Sequence, residues 1–298
     1  MKHVCIIGVG ELGSAIAHLL AEKKDIRIEC WDIDPTRVLR QKNLEDSIPH
    51  ADVIFLTVPS SSLRSAITSV TPHLSRKTVV VSCAKGIEWK SEKTADQILG
   101  ELLRHGQPYA VIGGPMLAEE LSGGGDGYAV VASSSKHARE FVQDIFKKTT
   151  LHLESSVDVR GVALSGVLKN IYAIGLGVVD GLGLGDNCRG KIITQALREM
   201  QVVLPLLRAK KETALGLSGI GDLVATGSSR YSSNYMVGMA IGQGKKIERH
   251  CEGRSSILAC AALVKTRAKD LPLLFSIKKI LDGKADVVRV IRNFINNS

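Results

Sequence analysis

Aromatic side chains are scarce in this sequence, 4% of 298 residues, and proline is scarcer still, with eight. So few rings leave no platform on which unpaired bases could stack, and single-stranded nucleic acid is not an expected partner. The six cysteines (Cys5, Cys30, Cys83, Cys188, Cys251, Cys260) are scattered without a C-x-x-C pair. That usage fits a reduced, cytoplasmic protein and offers no metal site. Long hydrophobic runs are also lacking. The longest, Ile171 to Gly185, is broken by Asp180 and rich in glycine. It falls short of the roughly 20 apolar residues of a membrane span and reads as a buried helix. Met1–Ile7 enters an apolar run at once, without the longer hydrophobic region and cleavage site of a secretory leader. The expectation is a soluble protein with no membrane partner.

Hydrophobic residues at 44% and charged residues at 23% supply a real core, and the length suggests two domains. Basic residues exceed acidic ones by 39 − 30 = +9, and twelve of the basic residues fall in 244–298 with five acids. This reads as a solvated basic face on terminal helices, although such a balance also attracts phosphorylated metabolites.

Short β-branched runs alternate with helical stretches through the first half. Strands are expected at His3–Ile7, Ile26–Trp31, Val53–Val58, Thr78–Cys83, Tyr109–Ile112, Tyr128–Ala132 and Leu151–Glu154. Helices are expected near Leu12–Glu22, Pro35–Asn43, Ser62–Val70, Ala95–Arg104 and Lys136–Lys147. Apolar strands separated by helices are what a doubly wound, mostly parallel sheet requires. After about residue 156 the periodicity turns helical, so the chain divides into an α/β domain, 1–156, and an all-helical domain, 157–298.

Gly8-Val9-Gly10-Glu11-Leu12-Gly13 matches G-x-G-x-x-G between an expected strand and an expected helix, the context that makes it a Rossmann-type dinucleotide site. Gly8 allows the tight turn, Gly10 admits the pyrophosphate, and Gly13 lets helix pack on strand. Asp32 lies nineteen residues further on, at the end of the second strand, where a carboxylate accepts the adenosine ribose hydroxyls and favours NAD over NADP. Asp34, directly before Pro35, reads as the helix cap, which leaves Asp32 for the ribose. A dehydrogenase acting on an alcohol must also move a proton. Lys85 follows the fourth strand at the sheet's carboxyl edge, and Lys169 is embedded in an apolar helix; burial lowers a lysine pKa toward the useful range.

The residues that carry a family resemblance run in order along nearly the whole chain. They are Gly8–Gly13, Ala84–Glu88, Gly113-Gly114-Pro115 with Ala118 and Glu120, and Leu168-Lys169-Asn170. They continue with Asp180–Gly185 and Asn187, Glu199-Met200, Gly216–Leu223 with Thr226, and Ser232, Asn234, Gly238 and Glu252-Gly253. In these the sequence resembles NAD(P)-dependent glycerol-3-phosphate dehydrogenases, which reduce dihydroxyacetone phosphate. The resemblance implies Lys169 as proton donor and acceptor, and Lys85 holding the substrate carbonyl. It places Asp222 and Asn170 in the same pocket, and Ser232, Ser233 and Asn234 at the substrate phosphate. Gly114 would approach the substrate closely, while Ala118 and Glu252 would border the nicotinamide. Similar proteins often form dimers, which leaves a homodimer open.

Three departures stand against the resemblance. Ser233 occupies the place of a family arginine at the phosphate, with Arg230 and Arg254 as candidate substitutes. Met116 stands where the family has serine or threonine at the substrate. The chain is shorter than the family between Pro35 and His50, on the adenosine side. A related dehydrogenase of another small hydroxy or phosphorylated metabolite, and a non-catalytic NAD sensor, are the alternatives.

Overall fold

In the computed structural model, which describes residues 1–39, 41–247, 250–283 and 285–297, the chain divides into two units. One comprises Met1–Lys85 and Lys93–Ala163, the other Gly86–Glu92 and Leu164–Ser298. The division falls inside a helix rather than at residue 156, where no change of composition could mark it. The segment 86–92 joins the helical unit because Ile87 enters that unit's apolar core and its amide donates to Ser256 Oγ at 3.0 Å.

The first unit is built on seven strands: β1 (Lys2–Ile7), β2 (Ile26–Trp31), β3 (Val53–Leu56), β4 (Val79–Ser82), β7 (Tyr109–Gly113), β8 (Gly127–Ala132) and β9 (Leu151–Ser156). Two-residue strands β5 (Ile87–Glu88) and β6 (Lys93–Thr94) lie outside this sheet. The sheet order is β2-β1-β3-β4-β7-β8-β9, parallel throughout except where β8 runs against β7. Val, Ile and Phe fill β3 and β4 on both faces because helices cover both, and every residue of these two strands is buried. The covering helices are α1 (Glu11–Ala21), α3 (Ser60–Val70), α4 (Ala95–Leu102), α5 (Ala118–Ser122) and α6 (Lys136–Phe146). The strand order reverses beside β1, so the crevice outside its carboxyl end is where such a sheet binds ligands.

One expected helix is absent. Among the described residues of Pro35–Asn43, which leave out Arg40, only a 3-10 turn forms, Pro35–Arg37, capped by Asp34, before the short α2 (Leu44–Ser47). Val38 is extended and Leu39 is 93% exposed, so the apolar spacing that suggested a helix finds no surface to bury against. The short α5 gave no periodic signal at five residues.

The second unit is helical: α7 (Val159–Gly181), α8 (Gly185–Leu206), α9 (Asp222–Thr226), α10 (Ser233–Gly242), α11 (Glu252–Leu263), α12 (Pro272–Leu281) and α13 (Val287–Asn297). Helix α7 is long and apolar enough to cross a membrane, but its apolar window is wholly buried. Its glycines explain the fit. A Cβ on Gly177 would lie 2.1 Å from the Tyr235 carbonyl oxygen, one on Gly181 2.5 Å from that of Met239, and one on Gly238 2.1 Å from that of Ile174. Helices α7 and α10 therefore touch main chain to main chain.

Glu199 on α8 is fully buried. Its carboxylate accepts the amides of Leu273 (2.6 Å) and Leu274 (2.9 Å) at the start of α12, with Tyr172 Oη at 3.0 Å and Gln195 Nε2 at 3.1 Å. It satisfies donors that the first turn of a helix cannot pair internally. Burial nevertheless raises its pKa above the ordinary 4.5, outweighing these bonds. With the folded value above the unfolded one, its contribution to stability is complete below pH 4.5 and declines as pH rises through the folded value. Glu199→Gln keeps an acceptor and cannot ionise. Its unfolding free energy in urea should therefore gain on that of the parent as pH rises from about 4.5 toward neutrality. A constant difference across that range would refute the assignment.

Candidate active site

Strand β1 ends at Ile7 and is followed by Gly8, whose φ of +95° suits glycine. A Cβ there would strike Val58 Cγ1 at 2.7 Å, and one on Gly13 would lie 2.0 Å from the Gly8 carbonyl oxygen. Thr57, just past β3, ties the turn down by donating to Gly8 O at 2.6 Å. Gly10, at the cap of α1, is different: a Cβ would meet nothing within 4 Å. Open space before a helix whose first amides have no internal acceptor fits a dinucleotide pyrophosphate. Glu11 and Leu12 form that first turn, Glu11 exposed and Leu12 half-buried.

Asp32 lies beside this turn but does not stand free. Its Oδ2 accepts the Val9 amide at 2.6 Å and its Oδ1 the Asp34 amide at 2.9 Å. Forming the turn and facing a ribose are compatible, since a carboxylate has about four acceptor positions and these bonds use two. Asp34 caps the next turn as expected, through Thr36 N at 3.1 Å.

Also in the first unit, Lys85 Nζ donates to the Gly114 carbonyl at 2.9 Å, so these two residues are neighbours. Gly114 has φ +151°, and a Cβ would meet the Tyr128 oxygen and Ala129 Cα at 2.6 Å. Packing against β8 alone thus requires glycine there. Ala118 begins α5, half-buried against the sheet's apolar core. Met116 belongs to that core at 6% exposure. It is a packing residue, which accounts for an apolar side chain at that position.

The second unit holds the other predicted residues in two linked groups. Lys169, on α7, is 6% exposed. Its Nζ donates to Thr226 Oγ1 at 2.7 Å and ion-pairs with Asp222 Oδ1 at 3.1 Å, while Thr226 Oγ1 donates to the same oxygen at 3.0 Å. A buried ammonium is tolerable only when paired and hydrogen-bonded, and here it is both. The neighbouring Asn170 accepts from Asn234 Nδ2 at 2.9 Å, and Asn234 Oδ1 accepts the Gly253 amide at 2.8 Å. This chain of amides joins α7, α10 and α11, and brings Glu252, the half-buried first residue of α11, next to it.

Ser232 caps α10 by accepting the Tyr235 amide at 3.3 Å, and Ser233 is the half-buried first helical residue. Arg230 stacks over the Tyr231 ring at 5.2 Å, and Arg254 is exposed.

Two residues of these clusters carried no assigned role from sequence. Thr226 follows Asp222 by four in a helical stretch, a spacing that places both on one face and was the available signal. Thr57 had only its position beyond the carboxyl end of β3.

Two family models match the chain: the N-terminal domain of NAD-dependent glycerol-3-phosphate dehydrogenase over residues 32–140, and its C-terminal domain over 158–292. A glycerol-3-phosphate dehydrogenase [NAD(P)+] of Moorella thermoacetica is 34% identical, covering 83% of this chain and 79% of that protein. One from Syntrophomonas wolfei is 33% identical, over 97% and 95%. The crystal structure of a glycerol-3-phosphate dehydrogenase from Coxiella burnetii superposes with a TM-score of 0.90 at 28% identity, covering 99% and 98%. The chain belongs to the NAD-dependent glycerol-3-phosphate dehydrogenase family.

Proposed function

We propose that the chain catalyses the NAD(H)-linked interconversion of dihydroxyacetone phosphate and sn-glycerol 3-phosphate, with Lys169 handling the proton. The observation that carries this reading is the buried ammonium of Lys169 between Asp222 and Thr226. Bound NADH supplies the hydride. In the reducing direction Lys169 Nζ gives a proton to the carbonyl oxygen as it becomes an alcohol, and takes it back in oxidation. Asp222 favours the charged form of the lysine, and the Thr226 hydroxyl orients Nζ while passing its own hydrogen bond to Asp222. Asn170 and Asn234 fix the flank of the lysine. In this reading Lys85, tethered by the Gly114 carbonyl, holds the substrate, and Ser232, Ser233 and Asn234 meet its phosphate. Gly8, Gly10, Glu11, Leu12 and Gly13 receive the cofactor pyrophosphate, Asp32 the ribose, and Ala118 and Glu252 the nicotinamide. All six cysteines are free thiols, which supports a reducing, cytoplasmic location.

The direct test is NADH oxidation on adding dihydroxyacetone phosphate to the folded protein; no loss of absorbance would reject the substrate. Lys169→Ala should abolish turnover while NADH affinity stays largely intact. Removing the lysine strands a buried carboxylate, a loss of about 3–5 kcal/mol for such pairs, so Lys169→Met/Asp222→Asn is the companion variant that keeps the fold. Turnover retained by either would reject the role of Lys169.

Ser233 gives a second test. A hydrogen bond to a charged group contributes roughly 1.5–3 kcal/mol, and a serine at the start of α10 offers less to a phosphate than the arginine of the family. Ser233→Arg should lower KM for dihydroxyacetone phosphate by about tenfold or more, with little change for a substrate analogue lacking phosphate. An unchanged KM would remove residue 233 from the phosphate site.

A further inference from the structure

We propose that Gln41 is a positioning residue that holds Asp32 in place, and that through Asp32 it sets the discrimination between NADH and NADPH. The inference rests on the reading above that Asp32 meets the adenosine ribose.

Backbone geometry at the sheet edge is the starting point. Among the described residues, β2 is an edge strand, paired only with β1. The Trp31 carbonyl accepts the Gly8 amide at 2.8 Å, toward β1. In an extended chain the next residue turns its N–H and C=O to the opposite side, so those of Asp32 face the open edge. There the Gln41 side chain meets both. Asp32 N donates to Gln41 Oε1 at 2.8 Å, and Gln41 Nε2 donates to Asp32 O at 3.0 Å. A primary amide carries the same donor and acceptor pair as a peptide group, so it closes the edge like one further rung of the ladder.

That rung fixes the residue whose carboxylate touches the glycine turn. With its backbone held from one side, Asp32 reaches Val9 N at 2.6 Å and Asp34 N at 2.9 Å, and remains buried at 7% exposure. Two acceptor positions are left for ribose hydroxyls, and the fixed negative charge repels a 2′-phosphate. Among the described residues, the cations nearby are each paired with an acidic side chain of their own. Arg27 and Lys42 both pair with Glu29 at 2.9 Å, and Arg37 pairs with Asp34 at 3.4 Å. Arg27, Glu29, Arg37 and Lys42 line a cavity of about 450 Å³ that also touches Val9. An Asp32 that is free to turn away would lose its bond to the ribose and its repulsion of phosphate together.

The test is equilibrium binding, read from NADH and NADPH fluorescence with no substrate present. Gln41→Ala should raise the NADH Kd by about tenfold, the equivalent of one hydrogen bond, while the NADPH Kd stays level or falls. Thermal melting should move little, since Gln41 lies in a partly exposed loop. In an Asp32→Asn background, where NADH binding is already weakened, Gln41→Ala should change the NADH Kd less than about twofold. An equal rise in both Kd values, an unchanged NADH Kd, or a full tenfold loss in the Asp32→Asn background would each overturn the proposal while leaving the ribose reading intact. An NADH Kd that Asp32→Asn leaves unchanged would overturn both.

Discussion

Everything chemical in the second unit depends on one electrostatic arrangement, the ammonium of Lys169 held out of water by Asp222 and Thr226. A lone charge in that position would lose its proton or drag the helix toward solvent. The carboxylate prevents both, and it is itself kept in order by the threonine one turn further along α9. Neither buried charge is tolerable without the other, so the fold around them must bring α7 and α9 together to within a hydrogen bond. The helical packing is thereby subordinate to the lysine.

In the proposed function the first unit solves a different problem, presenting uncharged donors to a doubly charged diphosphate. It does so with main chain rather than with cations. The glycine turn, held by Thr57 from the neighbouring strand and by Asp32 from the other side, exposes amide groups where the strand order reverses. Asp32 therefore has a structural task in addition to any contact with a ribose. A carboxylate accepting the Val9 amide stiffens the same turn to which the proposed function assigns the pyrophosphate.

Much of this was legible from residues alone, and the limits have physical reasons. The strands of the first unit were readable because burial on both faces leaves near-continuous Val and Ile runs. The glycine fingerprint was readable because Gly8 and Gly13 answer steric demands that no other residue meets, while Gly10 leaves open space before α1. Lys169 stood out as a charge in apolar surroundings. The segment 35–43 misled because helical spacing counts apolar residues without knowing whether a surface awaits them, and for Leu39 none does. Gln41 and Glu199 were invisible as partners, since what they bond to is backbone distant in sequence. A side chain that completes a main-chain pattern leaves no trace in composition or periodicity. Met116, a departure from the family in sequence, is explained by the core it fills.

The seam between α7 and α10 bears on how the site can drift. Lys169 and Asn170 lie on one of these helices and Asn234 on the other, and their spacing is set by main chain in van der Waals contact at Gly177, Gly181 and Gly238. Such a contact contains no rotamers, so it has no soft mode through which repacking elsewhere could be transmitted. The interval between Lys169 and Asn234 is thus fixed by the closest possible approach of two helices, with the Tyr235 hydroxyl adding a bond to Asp180 of α7 at 2.8 Å. The geometry between the lysine and its amide neighbours is therefore written into the backbone rather than into side-chain packing.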